Sequence, residues 1–335
     1  MKDFSYPRLM LLLCSGTLFV MLVAACLGRY PIAPLTVLHT LWERLMGEPS
    51  SSVAMTVLDE VRLPRIAMSL LVGANLSVSG ACYQSLFRNP LVSPFILGIS
   101  AGAGFGAALA ILFTAGGYWL YLCAFGFAVL AVGFSVLLGG RQGQHSTLVL
   151  VLSGIVIGSV FTALLALLKY TADPDNKLPV IEYWLMGSLG NARPKVLAYY
   201  ALFTLPALAL LWRYRWRLNL LANPDEIAQS LGVHVRRERM LFIGIATLLA
   251  SASVAVCGII GWLGLVVPHL ARMLVGADHR KLLPVTLVLG GAFLLVVDTI
   301  ARCSASYEIP LGIITALVGA PVFALLLRKG EQVWI

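Results

Sequence analysis

The chain is poor in charge. Only 12% of its 335 residues are Asp, Glu, Lys or Arg, about half the share of an ordinary soluble domain, whereas 59% are apolar. Mean hydropathy is +0.90. A water-soluble enzyme of this length needs a polar shell, and the residues to build one are missing. The same wealth of apolar surface excludes disorder. Other absences remove whole classes of chemistry. None of the six lysines follows a glycine, so there is no GxxxxGK[ST] phosphate loop and no recognisable nucleotide site. No HExxH, GxSxG or paired-carboxylate arrangement occurs. The six cysteines (Cys14, Cys26, Cys82, Cys123, Cys257 and Cys303) stand singly, mostly inside apolar runs, with no CxxC or Cys/His spacing. They read as small buried apolar residues rather than as disulfides or metal ligands. His39, His145, His234, His269 and His279 are scattered, and neither a metal site nor a cofactor is expected.

What the chain does have is a series of long apolar runs. About 20 helical residues cross about 30 Å of hydrocarbon. Hydropathy places ten spans at 9–28, 66–87, 94–113, 118–138, 148–169, 196–212, 240–259, a short one at 262–274, 283–302 and 311–327. The reading is an all-α polytopic membrane protein, a single transmembrane domain over 1–335, with its longest inner loop near 213–239 and a short amphipathic helix outside at 178–189. The start of the chain imitates a signal peptide. Lys2 and Arg8 precede an apolar run, and Val23-Ala24-Ala25-Cys26 resembles a lipoprotein cleavage box. The run from Leu9 to Leu27 is long enough to span, so an uncleaved first span is expected, with the N-terminus inside.

In a soluble protein a net charge of +9 would suggest nucleic acid. Here it reads as topology, because Lys and Arg are retained on the cytoplasmic side, and no nucleic-acid partner is expected. With ten spans and both termini cytoplasmic, fifteen of the 24 basic residues and six of the 15 acidic ones lie inside, so that side carries the whole net charge. Arg62, Arg65 and Arg302 fall outside, against this bias, and need a reason.

Small residues recur at helical spacing: Gly73, Ser77 and Ala81; Gly98, Gly102 and Gly106; Gly312, Ala316 and Ala320. Such stripes let helices approach closely in lipid, and packing is expected of most of them in preference to lining a pathway. Asn89-Pro90, Ser93-Pro94, Gly258, Gly261, Gly264 and Pro268 interrupt the apolar runs. Broken backbone at membrane depth must be buried in protein or line a cavity, and interrupted helices are frequent in transporters. Asp298 is the one acid within an apolar span, and burying it costs ~3 kcal/mol on insertion scales. Arg302 lies one turn further on the same face, so an intrahelical ion pair near the outer surface is expected. The alternative is an ion-coupling site in a secondary transporter. An intramembrane enzyme is disfavoured, since no catalytic constellation is present.

Several stretches carry a specific likeness. Val61-Arg62-Leu63-Pro64-Arg65 is followed by Gln84-Ser85-Leu86-Phe87-Arg88-Asn89-Pro90-Leu91-Val92-Ser93-Pro94 and by Leu97-Gly98-Ile99-Ser100-Ala101-Gly102-Ala103. Trp184-Leu185-Met186-Gly187-Ser188-Leu189 and Gly264-Leu265-Val266-Val267-Pro268-His269-Leu270-Ala271-Arg272 come later. The end reads Glu308-Ile309-Pro310-Leu311-Gly312-Ile313-Ile314-Thr315, then Gly319-Ala320-Pro321-Val322-Phe323. In this order, over nearly the whole chain, they resemble the FecCD-type permeases, the membrane subunits of ABC importers for iron-siderophores, haem and cobalamin.

The resemblance implies the type II ABC importer permease fold in the cytoplasmic (inner) membrane of a bacterium or archaeon. The permease would form a homodimer with a second copy, served by two copies of a separate cytoplasmic ATPase and by an extracytoplasmic substrate-binding protein. This chain would be a transport subunit with no ATPase site of its own, moving an iron chelate (siderophore or haem) or cobalamin, with a molybdate-type oxyanion as the alternative cargo. By motif, Arg62, Arg65 and Arg302 correspond to outer arginines that meet acidic residues on the binding protein, which would explain their placement. The segment from Asn223 to Gly232 corresponds to the ATPase-coupling loop, with Asp225, Glu226, Ala228, Leu231 and Gly232 as its marked residues. Within it Asn223 is expected as N-cap, Pro224 as first helical residue and Gly232 as terminator. Ile227, Ala228 and Leu231 would form an apolar docking face. Ser146 and Thr147 correspond to the narrowing of the inner exit, where small hydroxyl side chains suit a gate. The 173–189 segment would flank the outer mouth, with Trp184 at the membrane interface.

Overall fold

A computed structural model describes residues 5–28, 30–46, 53–113, 117–140, 147–305 and 307–329, and all the regular structure among them is helical. The helices are α1 (Tyr6–Cys26), α2 (Pro34–Met46), α3 (Val53–Val57), α4 (Leu63–Leu86), α5 (Ile99–Phe113), α6 (Tyr118–Gly140), α7 (Thr147–Thr171), α8 (Lys177–Leu185), α9 (Pro194–Tyr214), α10 (Arg217–Leu221), α11 (Asp225–Ser230), α12 (Val235–Cys257), α13 (Leu263–Val275), α14 (His279–Cys303) and α15 (Leu311–Lys329). A π-helical turn, Leu58–Arg62, joins α3 to α4 without a break. Seven of these segments are long and apolar enough to cross a membrane, and α5, α13 and α15 supply three shorter apolar helices. Together they occupy the ten regions expected to span.

Two differences bear on function. Where the sequence placed a first span end and a loop, helix resumes early: α3 and the π turn carry the chain into α4, so Arg62 and Arg65 stand on a helix rather than in a connection. The amphipathic α2 was not expected. Its 13 residues reach only about 20 Å, too short to cross.

α4 is the hub. It packs against α14, α12, α13 and α9 and is buried along nearly its whole length, as a helix apolar or small on all sides must be. The small-residue stripes do serve packing. A Cβ at Gly73 would strike the Gly290 carbonyl of α14, one at Gly80 the Gly264 carbonyl of α13, and one at Gly106 the Cys123 carbonyl of α6. Polar rungs add lateral ties where lipid offers no hydrophobic drive to associate. Asn75 Nδ2 donates to Tyr200 Oη (2.8 Å), which lies 2.7 Å from Ser253 Oγ. Tyr83 Oη lies 2.7 Å from Thr247 Oγ1, and Ser79 Oγ donates to the Ala246 carbonyl (2.8 Å). These bonds fasten α4 to α9 and α12.

Both expected breaks are present. From residue 87 to 98 the chain turns with Arg88 in the left-handed region (φ 49°), while Asn89 Oδ1 and Ser93 Oγ accept from the Leu91 and Phe95 amides, local turns typical of these residue types. Val92 and Leu97 are buried and the Ile96 carbonyl abuts Gly154 of α7, so this irregular backbone is covered by protein. The second break separates α12 from α13 at Gly258 (φ 72°) and Trp262 (φ 70°). A Cβ at Gly258 would meet the Trp184 carbonyl, which is why the turn needs glycine there.

Candidate functional site

The chemistry gathers at the two ends of α4. At its N-terminal end Arg65 is enclosed. Its Nε donates to both oxygens of Asp298 (3.0 and 3.1 Å) and Nη2 donates to Asp298 Oδ1 (2.8 Å). Nη1 and Nη2 donate to Glu308 Oε1 (2.8 Å) and Oε2 (3.1 Å). Asp298 is 0% exposed. Arg302 Nε sits 3.2 Å from Asp298 Oδ2, the expected pair across one turn, but off line for a hydrogen bond. Two guanidiniums therefore occupy the one carboxylate that an ion-coupled carrier would have needed free. Arg62 donates through Nη1 and Nη2 to the carbonyls of Ala25 and Tyr30, and Arg302 Nη2 donates to the Ala24 carbonyl (3.4 Å). Ala24 and Ala25 lie in the last turn of α1, whose carbonyls have no partner within their own helix. Cations there also complement the negative end of the helix dipole.

A docking role implies side chains open to solvent, and here Arg62, Arg65 and Arg302 are all buried. Each already has work inside the fold: two hold the end of α1 and the third clamps α14 and the loop before α15. Sequence reasoning placed the Asp298–Arg302 pair but missed Glu308 as a partner. Its only signal was an acid in the short connection after α14.

At the other end of α4 a second cluster forms. Arg88 Nη2 and Arg239 Nη2 (2.9 Å) both donate to Asp225 Oδ1, and Arg88 Nε donates to the Leu221 carbonyl (3.5 Å). One carboxylate thus ties the start of α11 to the end of α4 and to α12. Burial pushes the Asp225 carboxyl up, but the hydrogen bonds and charges of Arg239 and Arg88 outweigh it and hold the group below the ordinary carboxylate value. Beside it, Asn219 of α10 reaches α14: its Nδ2 donates to Asp278 Oδ1 (2.7 Å) and its Oδ1 accepts from the His279 amide (2.9 Å). Asp278 caps α14 by accepting from the Arg280 amide (3.0 Å). That bond, aided by Asn219 and the Arg280 charge against some burial, also keeps its carboxyl low. Arg217 pairs with Glu238. Arg88, Asn219, Arg239 and Asp278 were not singled out from the sequence. An N-cap reading of Asp278 was available from its place before α14.

The loop helix itself departs from expectation by one residue. Pro224 is the N-cap (ψ 147°) and Asp225 the first helical residue. Asn223 instead turns back and donates from Nδ2 to the Asn219 carbonyl (2.8 Å), closing α10. Gly232 (φ 79°) terminates α11 as expected, with its amide bonded to the Gln229 carbonyl (2.9 Å) and that of Val233 to Ala228 (3.1 Å). Of the three apolar residues assigned to a docking face, Ile227 (49% exposed) and Leu231 (60%) face out, whereas Ala228 is buried against the core. Ala228 is small enough to let α11 lie flat, and it offers no surface to a partner. Glu226 opens the helix next to Asp225.

Ser146 lies outside the described residues. Thr147 opens α7 and lines a cavity of about 330 Å³ with Gly140, Arg236, Arg239 and Met240. It thus stands beside the Arg239 that binds Asp225. On the Arg65 side, α8 ends next to a cavity of about 690 Å³ lined by Tyr121, Lys177, Tyr183, Trp184, Asn191 and Glu308, among others. Lys177 Nζ donates to the Ile111 carbonyl (2.9 Å) and Lys169 pairs with Glu182 at 2.6 Å, holding α8 over α5 and α7.

A bundle of helices of membrane-spanning length, hinged by two protein-covered breaks and carrying an ion-paired cluster at each end of one buried helix, defines a polytopic membrane permease. The chain belongs to the FecCD transport family, whose model matches residues 16–329. Permease subunits of this family work with an ATPase that is a separate chain and with a substrate-binding protein. The chain is 40% identical over 98% of its length to the molybdate import system permease protein MolB of Haemophilus influenzae, covering 98% of that protein. It is 37% identical to the hemin transport system permease protein HmuU of Yersinia pestis, over 97% of each chain. Among solved structures, a metal-chelate type ABC transporter in an inward-facing conformation superposes with a TM-score of 0.88 at 37% identity, over 96% of this chain and 99% of that one.

Proposed function

We propose that the chain is the permease of a binding-protein-dependent importer, working as a homodimer with a second copy, with the Asp225 end and both termini in the cytoplasm and the Arg65 end outside. The observation that carries this reading is α11: an outward apolar pair, Ile227 and Leu231, on a helix bolted by Asp225 to Arg88 and Arg239. Such a helix can pass a partner's motion to the core, which a free loop cannot. Asp225 and Glu226 favour the positive N-terminal end of α11 and Gly232 sets its end, so the segment presents one fixed face to an ATPase. Ser146 and Thr147 narrow the inner exit, and opening follows ATP-driven displacement of α11. The binding protein docks at the Arg65 end, where the half-open Glu308 contact, and not the buried arginines themselves, faces outward.

The cargo is an iron chelate (siderophore or haem) or cobalamin. A second reading, molybdate, rests on the 40% likeness to the Haemophilus permease across both full chains. Reconstitution in liposomes with the ATPase and binding protein, followed by elemental analysis of trapped Fe, Co and Mo, tests both. ATP-dependent accumulation of one metal supports the importer and names the cargo. Accumulation with no companion protein present overturns the importer reading.

A further inference from the structure

We propose that Glu308 is an exchangeable occupant of Arg65, holding the outer end shut until an acidic side chain of the docking protein takes its place. This rests on the proposed outer orientation and on docking at that end. Arg65 has two unequal partners. Asp298 takes its Nε edge and is fully enclosed, so that contact is permanent in the folded chain. Glu308 takes Nη1 from the other edge, and its side chain is 29% exposed and borders the 690 Å³ outer cavity. Only the second contact can be replaced by a group arriving from outside.

The local charge favours such a replacement. Arg62, Arg65 and Arg302 share two carboxylates, Asp298 and Glu308, and the guanidiniums of Arg62 and Arg302 both border Gly28. Arg62 leans on carbonyl dipoles rather than on a charge in the contacts just described. A further carboxylate therefore enters a region of excess positive charge, which suits an acidic protein partner.

Backbone geometry connects the exchange to the mouth. Three residues after Glu308 the Leu311 amide donates to the Gly187 carbonyl (2.9 Å), and the Gly312 amide donates to Met186 (2.9 Å). These two bonds join the start of α15 to the turn that ends α8. With Glu308 on Arg65, the loop before α15, the turn after α8 and helices α4 and α14 form one tied unit. Release of Glu308 removes a side-chain tie of that unit that faces the cavity.

The test measures affinity of the purified cognate substrate-binding protein, free of cargo, for the permease–ATPase complex in nanodiscs. Glu308→Gln removes the competing charge and is expected to bind about fivefold tighter, the size of one partly exposed ion pair. Glu308→Asp keeps the competitor and should bind like the parent. Glu43→Gln makes the same charge change on α2, where the carboxylate pairs with His39 and belongs neither to the Glu308 cavity nor to the Arg65 contacts described above, and should leave affinity within about twofold. Equal or weaker binding by Glu308→Gln, with its melting temperature unchanged, overturns the proposal. So does equal tightening by Glu43→Gln, which would make the effect one of overall charge. Failure of the parent complex to bind at all would instead overturn the importer reading on which the proposal rests.

Discussion

Replacing Asp298 by Asn tests the Arg65 cluster directly. The carboxylate is fully enclosed, accepts three hydrogen bonds from Arg65 and sits 3.2 Å from Arg302. Asn preserves the shape and one acceptor but removes the charge. Arg65 would then keep Glu308, and Arg302 would lose its ion pair with Asp298. Breaking a buried pair from one side costs about 3–5 kcal/mol, because the remaining charge is left uncompensated. The retained amide oxygen places Asp298→Asn near the lower figure. At about 2–4 °C per kcal/mol, the melting temperature should fall by roughly 6–12 °C. Adding Arg65→Gln removes one stranded cation, so the double variant should recover at least ~1 kcal/mol relative to the sum of the single losses. Thermal unfolding in nanodiscs gives both numbers. An unchanged melting temperature in Asp298→Asn, or strict additivity in the double variant, refutes the cluster as drawn. ATP-driven uptake per folded molecule should survive Asp298→Asn. Its loss at full stability would restore an ion-coupling role for this residue.

Gly80→Ala should abolish assembly, read as loss of folded protein on size exclusion, because the new methyl collides with the Gly264 carbonyl across the α4–α13 contact; a well-behaved variant would refute that contact. Ile227→Gln with Leu231→Gln should leave the melting temperature within about 1 °C, since both side chains are half exposed or more, yet weaken capture of the ATPase by about tenfold or more, as expected for apolar anchors; undiminished capture would remove the docking face. The Asp225 carboxyl is held below its ordinary value, so its folded pKa lies under the unfolded one. The anchoring of α11 is then fully present above about pH 4 and is lost as pH falls through the lower folded value. Hydrogen exchange of the 225–232 amides, corrected for intrinsic rates, should be flat from pH 5 to 8 and rise only below about pH 4; in Asp225→Asn that rise should vanish because protection is already lower at pH 7.

The spans were legible because each apolar run carries its own signal, and the pair Asp298–Arg302 was legible because one helical turn fixes its geometry in advance. Gly232 was readable for the same local reason, since a left-handed terminator favours glycine. What could not be read are contacts made by register. Arg65 and Asp298 lie 233 positions apart, and nothing in either neighbourhood says that α4 and α14 align them. The same holds for Arg88, Asp225 and Arg239, drawn from three helices. Helix α2 escaped because hydropathy windows tuned to full spans pass over 13 amphipathic residues. The one-residue error at Asn223 arose because a proline can serve either as first helical residue or as cap, and Asn223 had a competing acceptor in the Asn219 carbonyl that only the fold reveals.

Helix α4 offers a physical reason for joining the two clusters. Its 24 residues span about 36 Å, and arginines stand near both ends: Arg65 in its first turn, Arg88 two residues beyond its last. Between them the helix is enclosed, tied sideways by Asn75, Ser79 and Tyr83 and pressed against glycine carbonyls at Gly73 and Gly80. A helix so held does not bend by rearranging side chains, since close-packed interiors transmit displacement rather than absorb it. A pull on Asp225 through α11 therefore reaches Arg65 as movement of a rod, without a relay of side-chain switches. Such a rod has one soft point at its Arg65 end, the half-open contact between Arg65 and Glu308, and one at its Arg88 end, the exposed contact between Arg88 and Asp225. The enclosed pair with Asp298 is too costly to break in each cycle. Motion at either membrane surface is then expected to be spent on these two outer contacts while the Asp298 clamp travels with the helix.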